Sequence, residues 1–125
     1  MIKMTILLRR NPAMSHDEFV AYHRNNHGPL FSSLDEVKQH VQRYVQCHPV
    51  KEKLDGIPDF GIDGTTELWF DDLAGLAAVF QSPHYMAVIR PDENKFLDLS
   101  ACQILIGVEH QVIAELSPKA TEEKL

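Results

Sequence analysis

Cysteine is scarce in this sequence, and the two that occur lie far apart. Cys47 and Cys102 do not form a Cys-x-x-Cys motif, so the spacing indicates neither a redox pair nor a structural zinc site. We expect both to be free thiols. The alternation of the strand around it predicts that Cys47 points into the core, where a thiol is normally inert.

Basic clusters and long apolar runs are also absent. The formal net charge is −6, and no run of Lys and Arg is present to neutralise the phosphates of a nucleic acid. No segment has the apolar length that a bilayer span requires, and the first residues do not have the pattern of a signal peptide. We therefore expect a cytoplasmic protein that binds neither nucleic acid nor membrane.

What is present suits one compact domain. The chain has 125 residues, of which 44% are hydrophobic, enough to bury a single core. We predict one domain over residues 1–116, followed by a polar tail over residues 117–125 that is expected to be disordered.

The apolar pattern predicts four strands and two helical regions. Strands are predicted at Ile2–Leu8, 40–49, 65–70 and 102–108. The first helix should begin at a capping box formed by Ser15 and Glu18, and it should end at His27 because a Gly-Pro pair follows. A turn is expected at 34–37 and a long loop at 50–63. Asp72 is expected to cap the second helix, and a further short helix should begin at 82–83 and be closed by Pro91.

This order of elements is typical of a ferredoxin-like α+β fold, βαββαβ, with an antiparallel sheet and both helices on one face. Alternation places Val41, Val45, Leu68 and Phe70 on the helix-covered face. The open face should carry His40, Gln42, Tyr44, Gln46, Glu67 and Trp69. Such a mixed aromatic and polar face suits a two-fold dimer that encloses a cavity. The alternative is that these groups simply fill the dimer core.

Several segments resemble members of the EthD family, which belongs to the dimeric α/β-barrel superfamily. The similar segments are residues 9–12, 15–19, 27–30, 43–44, 63–64, 67–70, 92–93 and 96–98. The resemblance implies a ferredoxin-like protomer, a homodimer, a pocket beneath the helices, and chemistry on small cyclic or aromatic compounds without a cofactor. His23 departs from the pattern, because the family commonly has a tryptophan there.

His27 is the first candidate for chemistry, because a histidine that faces a cavity can transfer protons near neutral pH. The alternative is that it only satisfies the last carbonyls of its helix. Tyr44 is predicted to donate a hydrogen bond to a substrate oxygen, and Glu67 to orient His27 or act as a second acid or base; both also have a purely structural interpretation. The predicted substrate-binding residues are His23, His40, Gln42 and Trp69.

Two other readings of titratable residues are weaker. The i, i+4 spacing of His23 and His27 suits half of a metal site, but no third ligand can be identified, so we predict no metal. Asp92, Glu93 and Asp98 are most simply helix caps and solvated loop residues.

The sequence thus predicts a cofactor-independent enzyme that moves a proton on a small carbonyl, lactone or phenolic substrate, of isomerase or lyase type. One alternative is a cofactor-free oxygenase, an oxidoreductase of aromatic substrates. The other is an accessory protein that binds a hydrophobic metabolite without catalysis.

Overall fold

The computed structural model describes residues 1–114. The tail predicted at 117–125 lies outside the described residues. The strands are β1 (Ile2–Leu8), β2 (Val41–Cys47), β3 (Gly64–Phe70) and β4 (Gln103–Gly107). The helices are α1 (His16–Tyr22), α2 (Gly28–Ser32), α3 (Asp35–His40), α4 (Leu73–Phe80) and α5 (Arg90–Phe96). The chain also contains two π-helical turns, His23–His27 and Tyr85–Ile89, and one 3₁₀ turn, Leu99–Ala101.

The four strands form one antiparallel sheet in the order β2-β3-β1-β4. The helices lie on one face, so the predicted ferredoxin-like fold is confirmed. Because β2 and β4 occupy opposite edges, Cys47 and Cys102 are separated by two strands, and both are free, as predicted. Residues 48–63, between β2 and β3, contain no helix or strand.

The first helical region begins at the predicted capping box. The Ser15 hydroxyl accepts from the N–H of Glu18, and the Glu18 carboxylate accepts from the N–H of Ser15 at 3.0 Å. The prediction that the helix ends at His27 is wrong, because α1 continues through a π turn into α2. In that turn the Gly28 N–H donates to His23 O, five residues back, and this wider turn accommodates Pro29, which has no N–H.

The second helical region also contains a π turn next to a proline. Asp72 caps α4 as predicted, accepting from the N–H of Gly75 at 2.8 Å. Pro91 does not close the following helix, because the Arg90 N–H donates to Tyr85 O in a second π turn and Pro91 then lies in the first turn of α5. Both π turns therefore keep a helix continuous past a proline.

An irregularity in β2 changes which of its residues face the helices. The pairing with β3 shifts register between Val41 and Arg43, so Val41 lies opposite Phe70 while Tyr44 lies opposite Leu68. Tyr44 and Gln46 consequently lie on the helix-covered face, and Val45 and Cys47 on the open face. The predicted faces of these residues are wrong, because one bulged residue reverses the alternation beyond it; Cys47 is accordingly exposed.

The start of β2 also differs from the prediction. His40 is the last residue of α3 rather than a strand residue, and a helix replaces the turn predicted at 34–37. Two apolar clusters fill the space between sheet and helices. One centres on Phe70, Val79 and Ile89, and the other on Phe19 and Phe96.

Within residues 1–114, no helix combines the length and the apolar character needed to cross a bilayer.

Candidate active site

A cavity of about 150 Å³ lies between the sheet and the helices of a single chain. Its apolar wall includes Met4, Ile6, Leu8, Phe31, Leu68, Phe80 and Phe96. Its polar wall consists of His23, His27, Tyr44, Thr66, Tyr85, Arg90, Glu93 and Cys102. The cavity is thus on the helix-covered face, beneath the helices, and not on the open face where alternation placed it.

His27 is held by a buried carboxylate. Its Nδ1 lies 2.8 Å from Oδ2 of Asp92, and both side chains are at least nine-tenths buried. The Tyr22 hydroxyl donates to the other oxygen of Asp92. Burial and this bond to Asp92 raise the pKa of Tyr22 to about 12, so its hydroxyl remains a donor. The Nδ1 bond is the only hydrogen bond of the His27 ring within residues 1–114, so Nε2 is left for the cavity.

Tyr44 supplies a hydroxyl on the sheet side of the same cavity. Its oxygen accepts from Nε2 of Gln46 at 2.8 Å, and among the described residues it donates to no carboxylate. Burial raises the pKa of Tyr44, although its hydrogen bonds with Gln46 and Thr66 act in the opposite direction. The Phe31 ring contacts both His27 and Tyr44, with ring centroids 6.3 and 5.4 Å apart, so the two groups belong to one site.

Gln46 has a second role, which explains a glycine in the facing helix. The same Nε2 donates to the carbonyl of His23 at 2.8 Å. A Cβ on Gly28 would lie 2.9 Å from this nitrogen, so a larger residue there would displace the Gln46 amide from its hydrogen bonds.

His23 is fully buried, and both of its ring nitrogens are engaged. Nδ1 lies 2.9 Å from Nε2 of His48, and Nε2 lies 3.1 Å from Oγ1 of Thr66. Burial, followed by the charges of His48 and His27, lowers the pKa of His23 to about 3, so the ring is neutral near pH 7. Within residues 1–114, no cluster of three or more His, Cys, Asp or Glu side chains is arranged to hold a metal ion.

An ionic group forms the far wall. The Tyr85 hydroxyl donates to Glu93, whose other carboxylate oxygen accepts from Nε of Arg90 at 2.8 Å. Burial, followed by the neighbouring charge of Glu93, raises the pKa of Tyr85. The negative charge of Glu93 is therefore already balanced by a cation.

The structure brings together only some of the predicted site residues. His27, Tyr44 and His23 line one cavity. Glu67 lies on the open face, opposite Thr5 and Val45, and forms an ion pair with Lys3 at 3.0 Å. The predicted contact from Glu67 to His27 is wrong, because the sheet separates them.

The other three predicted binding residues also lie elsewhere. Trp69 is on the open face, where its indole N–H donates to Glu109 at 2.6 Å. His40 and Gln42 line a separate surface cleft beside Asp71 and α4. They lie where α3 meets β2, away from the His27 cavity.

Sequence reasoning missed the carboxylate that holds His27. It treated Asp92 as a helix cap or a solvated residue, although Asp92 is buried and bonded to both His27 and Tyr22. The segment at 92–93 was among those that resemble the EthD family, and this was the available signal. For the roles of Gln46, Thr66 and His48 the sequence carries no comparable signal.

Comparison with known families agrees with this geometry. The sequence model of the EthD domain matches residues 11–100, most of the chain. The chain belongs to the EthD domain family. Among curated proteins, none matches this EthD protein significantly.

Solved structures resemble the fold of this EthD protein at low sequence identity. An EthD family protein of Bacillus halodurans is 18% identical with a TM-score of 0.66, over 88% of this chain and 99% of the other. HapK from Hahella chejuensis is 13% identical with a TM-score of 0.61, over 94% and 99% of the two chains. A dimeric ferredoxin-like protein of unknown function from Thermobifida fusca is 16% identical with a TM-score of 0.60, over 86% and 90%. At these identities the likeness establishes the fold alone.

Proposed function

We propose that this EthD protein is a cofactor-independent enzyme that transfers a proton on a small carbonyl, lactone or phenolic substrate, as an isomerase or lyase does. The observation that carries the proposal is the bond from Nδ1 of His27 to the buried Asp92. A carboxylate accepts hydrogen bonds, so Asp92 places the proton of the neutral imidazole on Nδ1. Nε2 then presents its lone pair as a base, and the imidazolium formed after proton abstraction is stabilised by the carboxylate.

Tyr44 complements this base. Abstraction of a proton next to a carbonyl, or from a phenol, leaves negative charge on an oxygen, and a positioned hydroxyl stabilises that charge. No carboxylate among the described residues holds the Tyr44 hydroxyl, and the bond that its oxygen accepts from Gln46 polarises the hydroxyl further. The apolar side chains around the cavity lower the local dielectric constant, which strengthens both interactions.

The test is solvent deuterium incorporation measured by proton NMR. Single-ring lactones and cyclic ketones are incubated in D₂O with the wild-type protein, with His27→Gln and with Tyr44→Phe. We expect loss of exchange of at least about 100-fold for His27→Gln, the usual contribution of a general base. His110→Gln, on the surface, serves as the matched control. Exchange that is equal in wild type and His27→Gln would refute the proposal.

Oxygen uptake measured in parallel separates the proton-transfer reaction from the oxygenase alternative. Consumption of oxygen with phenols, without deuterium exchange, would favour the oxygenase. Binding of the same compounds with neither exchange nor oxygen uptake would favour the non-catalytic accessory protein.

We also propose that two copies pair through the open face of the sheet. Leu105 is 68% exposed on that face, opposite Thr5 of β1, and the Thermobifida fusca neighbour is described as dimeric. Covering Leu105 would bury apolar area that the single chain leaves in water. Light scattering after size exclusion should show a dimer that Leu105→Glu dissociates. Leu73→Glu, on the exposed side of α4, should leave the dimer intact, and equal behaviour of the two variants would refute this interface.

A further inference from the structure

We propose that the cavity selects an uncharged compound with a single six-membered ring and one oxygen that accepts a hydrogen bond, such as a phenol or a cyclic ketone. This inference rests on the proposed function and names the substrate class of the same site. It follows from three properties of the cavity: its volume, the balance of charge on its walls, and the one tyrosine hydroxyl that no carboxylate holds.

The volume limits the size of the ring system. The cavity measures about 150 Å³. An engineered apolar cavity of roughly that volume in another protein binds benzene, so one six-membered ring fills such a space. Aromatic rings bound it on the helix side, where His27 and Phe96 have centroids only 4.7 Å apart. The cavity opens towards Ile104, which is 61% exposed. A fused two-ring compound would therefore either displace the packed side chains, which costs free energy, or leave its second ring in water outside the cavity.

The charges on the wall leave no partner for an ionised ligand. Arg90 is bonded to Glu93, and His27 to Asp92. Burial keeps the pKa of His23 at about 3, so this ring adds no positive charge near pH 7. A carboxylate on the ligand would therefore be desolvated without a free cation to offset the loss, and it would lie near two existing carboxylates.

The hydroxyl groups indicate where the ligand oxygen binds. The protein has three tyrosines. The hydroxyls of Tyr22 and Tyr85 already donate to Asp92 and Glu93. Among the described residues, Tyr44 is the one tyrosine whose hydroxyl donates to no carboxylate, and this hydroxyl lies in the same cavity as the free nitrogen of His27. An oxygen bound to Tyr44 thus places the ring beside the base.

The test measures ligand binding, which does not depend on turnover. The full-length protein is titrated with three probes, and the titration is monitored by NMR. The probes are phenol, 4-hydroxybenzoate and 2-naphthol. We expect phenol to shift the resonances of cavity residues, with the other two at least about tenfold weaker because of charge and size. Equal or tighter binding of 2-naphthol would overturn the single-ring assignment. Equal or tighter binding of 4-hydroxybenzoate would overturn the requirement for an uncharged ligand.

Tyr44→Phe tests the position of the oxygen, with Tyr85→Phe as the matched control. Loss of one net hydrogen bond corresponds to weaker phenol binding by a factor of roughly 2 to 12 in Tyr44→Phe. Tyr85→Phe should change it by less, because that hydroxyl is committed to Glu93. Equal effects would overturn the assignment to Tyr44. If none of the three probes binds the wild type, the assignment of the cavity to a single-ring compound is overturned. If phenol binds but no deuterium exchange occurs, only the proposed catalytic function fails.

Discussion

The stability of this protein should depend steeply on pH because of one buried histidine. In an unfolded chain His23 takes up a proton near pH 6.5, whereas in the fold its pKa is lowered to about 3. Between these values the unfolded state binds more protons than the folded state, so the free energy of unfolding falls as the pH falls. From pH 7 to pH 4 the loss from His23 alone is about 3 kcal/mol, a large fraction of a typical domain stability.

The variant that isolates this contribution is His23→Gln. Glutamine keeps one donor and one acceptor for His48 and Thr66 but has no proton to take up. We expect the variant to be less stable than wild type at pH 7, by about 1–3 kcal/mol for the altered hydrogen bonds. Between pH 7 and pH 4, the free energy of unfolding of the variant should fall by about 3 kcal/mol less than that of wild type. The two curves of unfolding free energy against pH should therefore converge.

Urea unfolding at pH 7, 6, 5 and 4, at one protein concentration, measures both curves. The pKa of His48 is also lowered, mainly by its burial, and this adds to the slope. Because His48 is bonded to His23, its ring is titrated by NMR in both proteins and its contribution is subtracted. His110→Gln is the matched control. Parallel curves for wild type and His23→Gln, or an NMR titration of the His23 ring with a midpoint above pH 5, would refute this reasoning.

Three further substitutions test the site and its support. Asp92→Asn should slow deuterium exchange by about 10⁴-fold, because an amide can hold the wrong tautomer of His27. Phenol binding should change by less than about threefold. Unchanged exchange rates would contradict the role of Asp92. Ser15→Ala should cost about 1 kcal/mol in urea unfolding through loss of the capping box, and no change would contradict it. Gly64→Ala places a Cβ 3.0 Å from the His48 ring, and we expect about 1–3 kcal/mol of destabilisation by the same assay, which a neutral result would rule out.

The fold could be predicted from the sequence because its signals are local. The apolar run of β1, the capping box at Ser15 and the cap at Asp72 each depend on residues within one or two turns, and the structure contains all three. The face of Tyr44 could not be predicted, because one bulged residue after Val41 decides it and leaves no mark in the composition.

The candidate site was predictable only in part, for a related reason. His27 and Tyr44 were identified by their chemistry, but the partner of His27 is 65 residues away, on another helix. Glu67 was as acidic a candidate as Asp92, and only the three-dimensional placement distinguishes them. Local sequence patterns therefore indicate the chemistry available to a side chain, whereas the tertiary fold determines which groups it contacts.

The two π turns have a consequence for sequence alignments of relatives. His27 ends the first turn and Asp92 follows the second, each just before or just after a proline. A π turn contains one residue more than an α turn, so a relative that lacks one residue within 85–89 would close an ordinary α turn and keep the following residues on the same faces of the helix. A one-residue gap at that point is therefore compatible with the buried histidine–carboxylate pair. A gap within α1, which has no extra residue to lose, would instead rotate His27 by about 100° relative to the residues before the gap.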